Sequence, residues 1–518
     1  MKSNHKLLVC LIIILGFALR LYVYLNTAVI NPDGAIYIDQ ARIIYYHLWN
    51  ILRSHADPVL TPTPLLIAGL YAITGNWVFS ACAVSLFFGT ALLIPVYLLS
   101  GRYFEKDYAC LITLIFAVIP TLVFNSIEII RDPLAWFFLT FGLFFFPASL
   151  FASGIFFLIA ILSRVECIIF PVLSSVYLLM DRQGKPVRRL FIFLSPLIIA
   201  ASISLGAYMF RAPDMLQDRF AKVGTELTQS VDHYRMIRLT LKDMVHHPPH
   251  GIPGSFFEKT RSLVWFLPLG VILRNALEAF HYFFFVLLLI GLSGMRERRV
   301  MPTPQYFALL ATGMVLLFYI HILTNWQMEQ RWVVLIMLPS FVFLGMGLER
   351  VVSWLVHHIG ISPSTMFVIL VLVILAFCLP KDLIPREQDK IVFKNIGEAI
   401  AAMENQNGEI ETLTLGDSNR WISFYANLHV EGAPYPDKYS DFESFIGQSY
   451  NDFLKNIRDR KIKYVIWEEK QWPLGHFDFL AAVRPENLQR LGQWSHPDTG
   501  RIILFKVLPP SAPMEKSG

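Results

Sequence analysis

Apolar residues in this chain fall in long unbroken runs, most of them close to the roughly 20 residues that a helix needs to cross a bilayer. Windows of that length predict spans near 7–25, 77–100, 108–126, 133–151, 190–209, 275–294, 305–323, 332–350 and 364–380. The stretch 152–180 carries Arg164 and Glu166 at its centre and reads as one long helix or two short ones. From about Asp382 the pattern changes to short alternating elements: helices near 393–405, 419–428 and 441–458, and strands at 412–415, 464–467 and 502–508. Such alternation predicts a small α/β domain with a partly parallel sheet over 381–508, followed by a disordered tail at 509–518.

Basic loops stay in the cytoplasm, and the basic clusters here are Lys2/Lys6, Arg102/Lys106, Arg182/Lys185/Arg188/Arg189 and Arg296/Arg298/Arg299. All four lie on one side only if 152–180 crosses twice, which gives about eleven spans, a cytoplasmic N-terminus and an extracytoplasmic C-terminal domain. The first run has Arg20 inside it and no small-residue cleavage site, so it reads as an uncleaved span. Arg164 and Glu166 then sit at an outward-facing tip, which avoids leaving two charges at the bilayer centre. The outer side collects the loop 27–76 with an interfacial helix, residues 128–132, the loop 210–274 and residues 321–331.

Composition agrees with this topology. Hydrophobic residues make up 55% and charged residues 16%, against roughly 25% charged in soluble domains, and mean hydropathy is +0.51. The net charge of +5 therefore concerns membrane orientation rather than nucleic acid. The five cysteines lie in or beside apolar runs, with no disulfide or zinc-type spacing. No phosphate-binding loop of the form GxxxxGK[ST] occurs, which disfavours a nucleotide-driven reaction on the inner side. Energy for an outer reaction must arrive with the substrate, and a polyprenyl-phosphate-linked group is the usual carrier.

Asn31, Pro32 and Asp33 are helix-start residues, so the plain reading of Asp33 is an N-cap for a helix from about Gly34 to Trp49. Asp132-Pro133 likewise reads as N-cap and first helical residue, while Arg164 and Glu166 can simply pair with each other. Glu128 and Asp132, four apart, share a face with Arg131 nearby if that turn is helical. Arg331 between two tryptophans fits an interfacial anchor, and Arg20 fits a snorkelling side chain. His246-His247-Pro248-Pro249-His250 suggests a metal, but the prolines break the spacing that a helical histidine pair relies on, so a loop is preferred. The stretch Asp214 to Lys242 has charges at helical spacing and reads as a solvated surface helix.

Taken together these motifs resemble the GT-C class of membrane glycosyltransferases, nearest the protein O-mannosyltransferase and aminoarabinose-transferase-like families. Asn31-Pro32-Asp33-Gly34-Ala35-Ile36-Tyr37 with Ala41-Arg42 is similar to the first-loop Pro-Asp-(Glu/Gly)-x-x-Tyr signature. Thr61-Pro62-Thr63-Pro64-Leu65-Leu66, Glu128/Arg131/Asp132, Leu162-Ser163-Arg164-Val165-Glu166 and Arg331-Trp332 with Leu338-Pro339 follow in family order. The departure is Gly34, where many relatives carry a second carboxylate.

The resemblance implies transfer of a sugar from a polyprenyl phosphate to a protein, lipid or glycan acceptor outside the cytoplasmic membrane, inverting at the anomeric carbon. Asp33 would remove the acceptor proton, a task suited to a carboxylate within hydrogen-bond reach, with Asp132 as the second catalytic carboxylate. Arg131, Arg164 and Arg331 would hold the anionic phosphate through their fixed donor forks, with Glu128, Glu166 and Tyr37 beside them. Asp33, Glu128, Asp132 and Glu166 offer oxygens of the kind Mg or Mn takes, at no spacing that selects a divalent cation, so no metal ligand is assigned. The rival classes are a transporter or flippase of lipid-linked sugars, whose internal repeats and matched broken helices fit poorly with eleven spans, one long first outer loop and a single broken hairpin, and an O-antigen-ligase-like or polymerase-like transferase.

Overall fold

A computed structural model of the chain describes residues 5–53, 61–181, 185–211, 232–293, 304–404, 408–414, 418–432, 443–447, 449–473 and 477–509. The expected tail is thus outside the described residues from 510 on, as are parts of the basic clusters and of the 210–274 loop. The chain forms two compact units: Met1–Val23, Ala83–Ile127 and Arg131–Ile384 make one, and Tyr24–Cys82, Glu128–Ile130 and Pro385–Gly518 the other. The segment Tyr24–Cys82 is therefore part of the unit that contains the C-terminal domain, a grouping that hydropathy alone does not reveal.

The first unit is helical and multi-pass in character. Among the described residues six helices are long and apolar enough to cross a membrane: His5–Leu25, Trp77–Ser100, Pro186–Gly206, Pro304–Asn325, Gln330–Ile359 and Pro363–Asp382. A pair bent by 72°, Gly254–Leu263 with Leu267–Ala279, makes a seventh if counted as one span. The other apolar runs are broken. Residues 108–126 divide into Lys106–Val118 and Pro120–Asn125, because Pro120 cannot continue the hydrogen-bond ladder. The 275–294 run breaks at His281 and Tyr282, whose φ values are 53° and 50°. Residues 152–180 do form two pieces, Leu150–Ser163 and Ile169–Met180, with Arg164 extended between them and a 3-10 turn at Val165–Ile168.

Helix Phe283–Leu292 packs backbone to backbone on Val334–Ile359: a Cβ at Gly291 would fall on the Phe343 carbonyl, and one at Gly347 on that of Leu287. Small residues permit this approach where two helices share an apolar environment. Arg20 does not snorkel. It is fully buried, with Nη1 donating to Gly16 O (3.0 Å) and Ala117 O (2.8 Å), because unpaired carbonyls at a helix break attract a donor more strongly than distant water does.

The second unit combines α2 (Pro32–Arg53) and α3 (Pro62–Thr74) with the C-terminal α/β domain. Its sheet has the order β1-β2-β4-β3, from Thr412–Leu413, Tyr464–Glu468, Leu488–His496 and Gly500–Val507. β1 and β2 are parallel and the remaining pairs antiparallel, as a partly parallel sheet requires. Helix Tyr450–Asp459 is capped by Ser449 and buries Tyr450, Phe453, Leu454 and Ile457, an i, i+3, i+4, i+7 stripe set against Val465, Ile503 and Phe505. β3 is the strand that the sequence pattern misses. It is an edge strand, largely polar and bulged between Arg490 and Gly492, so it has no clean alternation.

Candidate active site

Within the helical unit, Asp132 and Arg164 form a buried ion pair with side chains only 3% and 2% exposed. Asp132 is the first residue of helix Asp132–Phe145, but its carboxylate does not cap that helix; it is turned to Arg164. The break at Arg164 makes this geometry available: with φ −147° the residue leaves the helical path, and Nη2 also reaches Glu166 Oε1 at 3.2 Å. The second oxygen of Glu166 has no hydrogen-bond partner among the described residues, nor has Arg164 Nε.

Arg131 and Arg331 each lie within electrostatic range of Arg164. Arg331 meets Glu329 with Nε and Nη2 at 2.7 and 3.0 Å and is 14% exposed, while the Trp332 ring lies 5.7 Å from the Arg164 guanidinium. The buried guanidinium of Arg164 is thus held by two carboxylates, with the Arg331–Glu329 pair nearby. Guanidinium donors fixed in this way are already oriented for an anion.

In the second unit Asp33 is not an N-cap. The helix starts at Pro32, so Asp33 sits inside the first turn, 36% exposed, with Oδ1 3.9 Å from Arg420 Nη1. Tyr37, half-buried and four residues on, shares its helical face. The turn before Asp33 is held on both sides. Asn31 Oδ1 accepts the Ile129 amide at 2.8 Å and its Nδ2 donates to Ile129 O at 3.3 Å, while Trp421 Nε1 donates to Ile30 O (2.6 Å) and Tyr425 Oη accepts from Ile30 N (3.1 Å).

Gly34 explains the missing second carboxylate. A Cβ there would stand 2.9 Å from Asn31 Oδ1 and 3.0 Å from Ile129 Cβ, so a larger residue pushes on both of these side chains. Further along α2, Arg42 is 1% exposed and donates to the carbonyls of Asn427 (3.2 Å), Gly432 (3.2 Å) and Val430. Neighbouring Asp39 is buried, which pushes its carboxyl up to about 7; Arg42 opposes that shift and Glu409 adds to it.

Glu128 and Asp132 do not share a helical face. Residues 126–131 are turns and bends, and Glu128 instead pairs with Arg386 at 3.3 Å. Local spacing gave no signal for Arg420, Trp421, Tyr425 or Arg386, which reach the Asp33 turn or its neighbour Glu128 from hundreds of residues away.

Among the described residues one group could hold a metal ion: Asp389, His496 and Asp498, with ligand atoms within 4.8 Å of one another. His496 Nδ1 accepts the Asp498 amide at 3.3 Å, and the buried Nε2, which has no hydrogen-bond partner among the described residues, lies 3.4 Å from Asp389 Oδ2. His246, His247 and His250 are exposed and belong to no such group.

No protein-family model and no curated protein matches the sequence. By structure the chain is similar to the oligosaccharyltransferase AglB from Archaeoglobus fulgidus in complex with an inhibitory peptide and a dolichol-phosphate, with TM-score 0.53 and 14% identity over 99% of this chain and 75% of that one. It is also similar to ArnT from Cupriavidus metallidurans bound to undecaprenyl phosphate, with TM-score 0.55 and 13% identity over 98% and 99% of the two chains. The apo state of that ArnT gives 0.53 and 13% over 97% of each chain. The chain therefore shares the fold of these two proteins along almost its whole length.

Proposed function

We propose that the protein is a glycosyltransferase that moves a sugar from a polyprenyl phosphate to an acceptor on the outer side of the cytoplasmic membrane, with inversion at the anomeric carbon. The observation that carries this reading is the fold likeness over 98% of the chain to a protein bound to undecaprenyl phosphate, joined by the second likeness to one in complex with a dolichol-phosphate. In the proposed topology the shorter apolar helices complete about eleven crossings, with the N-terminus cytoplasmic and the C-terminal domain extracytoplasmic.

Arg164, Arg131 and Arg331 take the lipid phosphate, which is the leaving group. Glu166 steers Arg164, and Asp132 acts through its buried pair with Arg164 rather than as a proton acceptor, since an acid locked to a guanidinium is a poor base. Asp33, partly exposed and on a turn fixed from both sides, takes the acceptor proton, with Tyr37 on the same face. Glu128 supports that turn through Arg386. The sugar, the lipid length and the acceptor class are open to a panel of donors and acceptors; a divalent cation, Mg or Mn, is a variable of the same assay.

The test is release of polyprenyl phosphate by purified protein in lipid, from a panel of polyprenyl-phosphate sugars with added acceptors, comparing wild type and Asp33→Asn. Release that requires the acceptor and is lost in the variant supports the reading. Donor binding without release from any member of the panel would move the assignment to transport of lipid-linked sugars.

A further inference from the structure

We propose that helix Ser418–Asn427 of the C-terminal domain is the positioning element for Asp33, with Arg420 as the side chain that sets the orientation of its carboxylate. The inference rests on the reading of Asp33 as the base. It gives the C-terminal domain a direct part in the transfer step.

Four contacts along one short helix point this way. At its first turn Arg420 Nη1 lies 3.9 Å from Asp33 Oδ1. One residue further Trp421, and one turn beyond that Tyr425, take the carbonyl and the amide of Ile30 at 2.6 and 3.1 Å, so both polar groups of the residue three before Asp33 are bound to one helix face. At its far end the Asn427 carbonyl is held by Arg42 of α2, nine residues after Asp33. The segment 30–42 is therefore gripped at its start, at Asp33 and at its end by one helix.

Arg420 stands in the first turn of that helix, where the dipole disfavours a cation. A carboxylate facing it offsets that penalty, and the same pairing fixes the carboxylate. Asp33 remains 36% exposed, so fixing it does not close it to an acceptor hydroxyl. Trp421 and Tyr425 are 6% and 5% exposed, which makes the grip on Ile30 rigid rather than a solvent-dependent contact.

The experiment measures acceptor-dependent lipid-phosphate release and thermal unfolding for the full chain in lipid, as wild type, Arg420→Ala, Arg420→Lys, Tyr425→Phe, Asp33→Asn and the double variant Asp33→Asn/Arg420→Ala. Expected for Arg420→Ala is a kcat lowered roughly ten- to hundredfold with the acceptor KM and unfolding midpoint unchanged, as for a base moved off line. Arg420→Lys restores most of the loss, and the double variant is no slower than Asp33→Asn alone, because Arg420 acts only through Asp33. An unchanged kcat in Arg420→Ala, an equal further loss in the Asp33→Asn background, or a fall in stability without a fall in kcat at permissive temperature overturns the proposal while leaving Asp33 as base. Full activity of Asp33→Asn overturns the base assignment and this inference together.

Discussion

Arg20 fills the place of the amide hydrogen that Pro120 lacks. In an unbroken helix residue 120 would donate to the carbonyl of Phe116; here Arg20 Nη2 reaches that oxygen at 3.4 Å while Nη1 takes Ala117 O. A charged side chain in an apolar segment thus repairs a defect that a proline creates a hundred residues away. Arg20→Ala should lower stability by roughly 2–4 kcal/mol, since it strips a charged donor from buried carbonyls, and Pro120→Ala in that background should recover part of the loss. Thermal unfolding in lipid or detergent reads both effects; equal midpoints for wild type and Arg20→Ala would refute the repair role.

The pair Asp132/Arg164 predicts an asymmetric response. Removing either charge alone leaves the other buried and uncompensated, so Asp132→Ala should destabilise by roughly 3–5 kcal/mol, and Arg164→Met by a similar amount. Asp132→Ala/Arg164→Met together should be less damaging than the sum of the two. A strictly additive double variant, measured by unfolding midpoint, would mean that the two side chains do not act as a pair.

Burial of Asp39 makes the second unit sensitive to pH. An ordinary aspartate titrates near 3.9, and here burial pushes the group up to about 7, so between those values the folded form holds a proton that the unfolded form has lost. The associated stability is fully present below about pH 4 and is lost as pH rises through about 7. Asp39→Asn should flatten this slope and be roughly 1–3 kcal/mol more stable than wild type at pH 8. A slope identical to wild type between pH 4 and 7 would reject Asp39 as its source.

Gly34→Ala places a Cβ against Ile129 and Asn31 and should cost roughly 1–3 kcal/mol. Adding Ile129→Ala gives the new methyl group room and should return part of the loss. Recovery in activity as well as stability would show that the 128–130 segment sets the Asp33 turn; no recovery would place the strain at Asn31.

Much of this was legible in the chain. Apolar run length gave the membrane class, the two pieces of 152–180 followed from keeping the basic loops on one side, and β2 and β4 were visible as short apolar runs. The Asp33 turn and the three arginines stood out because polar residues are few in such a chain. What stayed hidden depends on contacts between distant residues: the break at 280–282 lacks any proline, and β3 is too polar to show a period. Asp33 and Asp132 each had the residue type of a cap, yet Asp132 turns to Arg164 and Asp33 lies inside its helix facing Arg420. A partner 387 residues further along leaves no trace in local spacing.

The sheet order bears on how the protein is made. β4 is the last of the four strands to be synthesised and yet a central one, with β2 on one side and β3 on the other. Until residue 507 has emerged, β2 and β3 have no common neighbour and the domain cannot close its core. The Asp33 turn, translated among the first tenth of the chain, must therefore wait in the half-made protein for Trp421 and Tyr425 to arrive, because its grip spans 391 and 395 residues. Contacts of such separation form late. A nascent chain that has already threaded its helices into the bilayer would thus carry this turn unbraced until the C-terminal domain has been made.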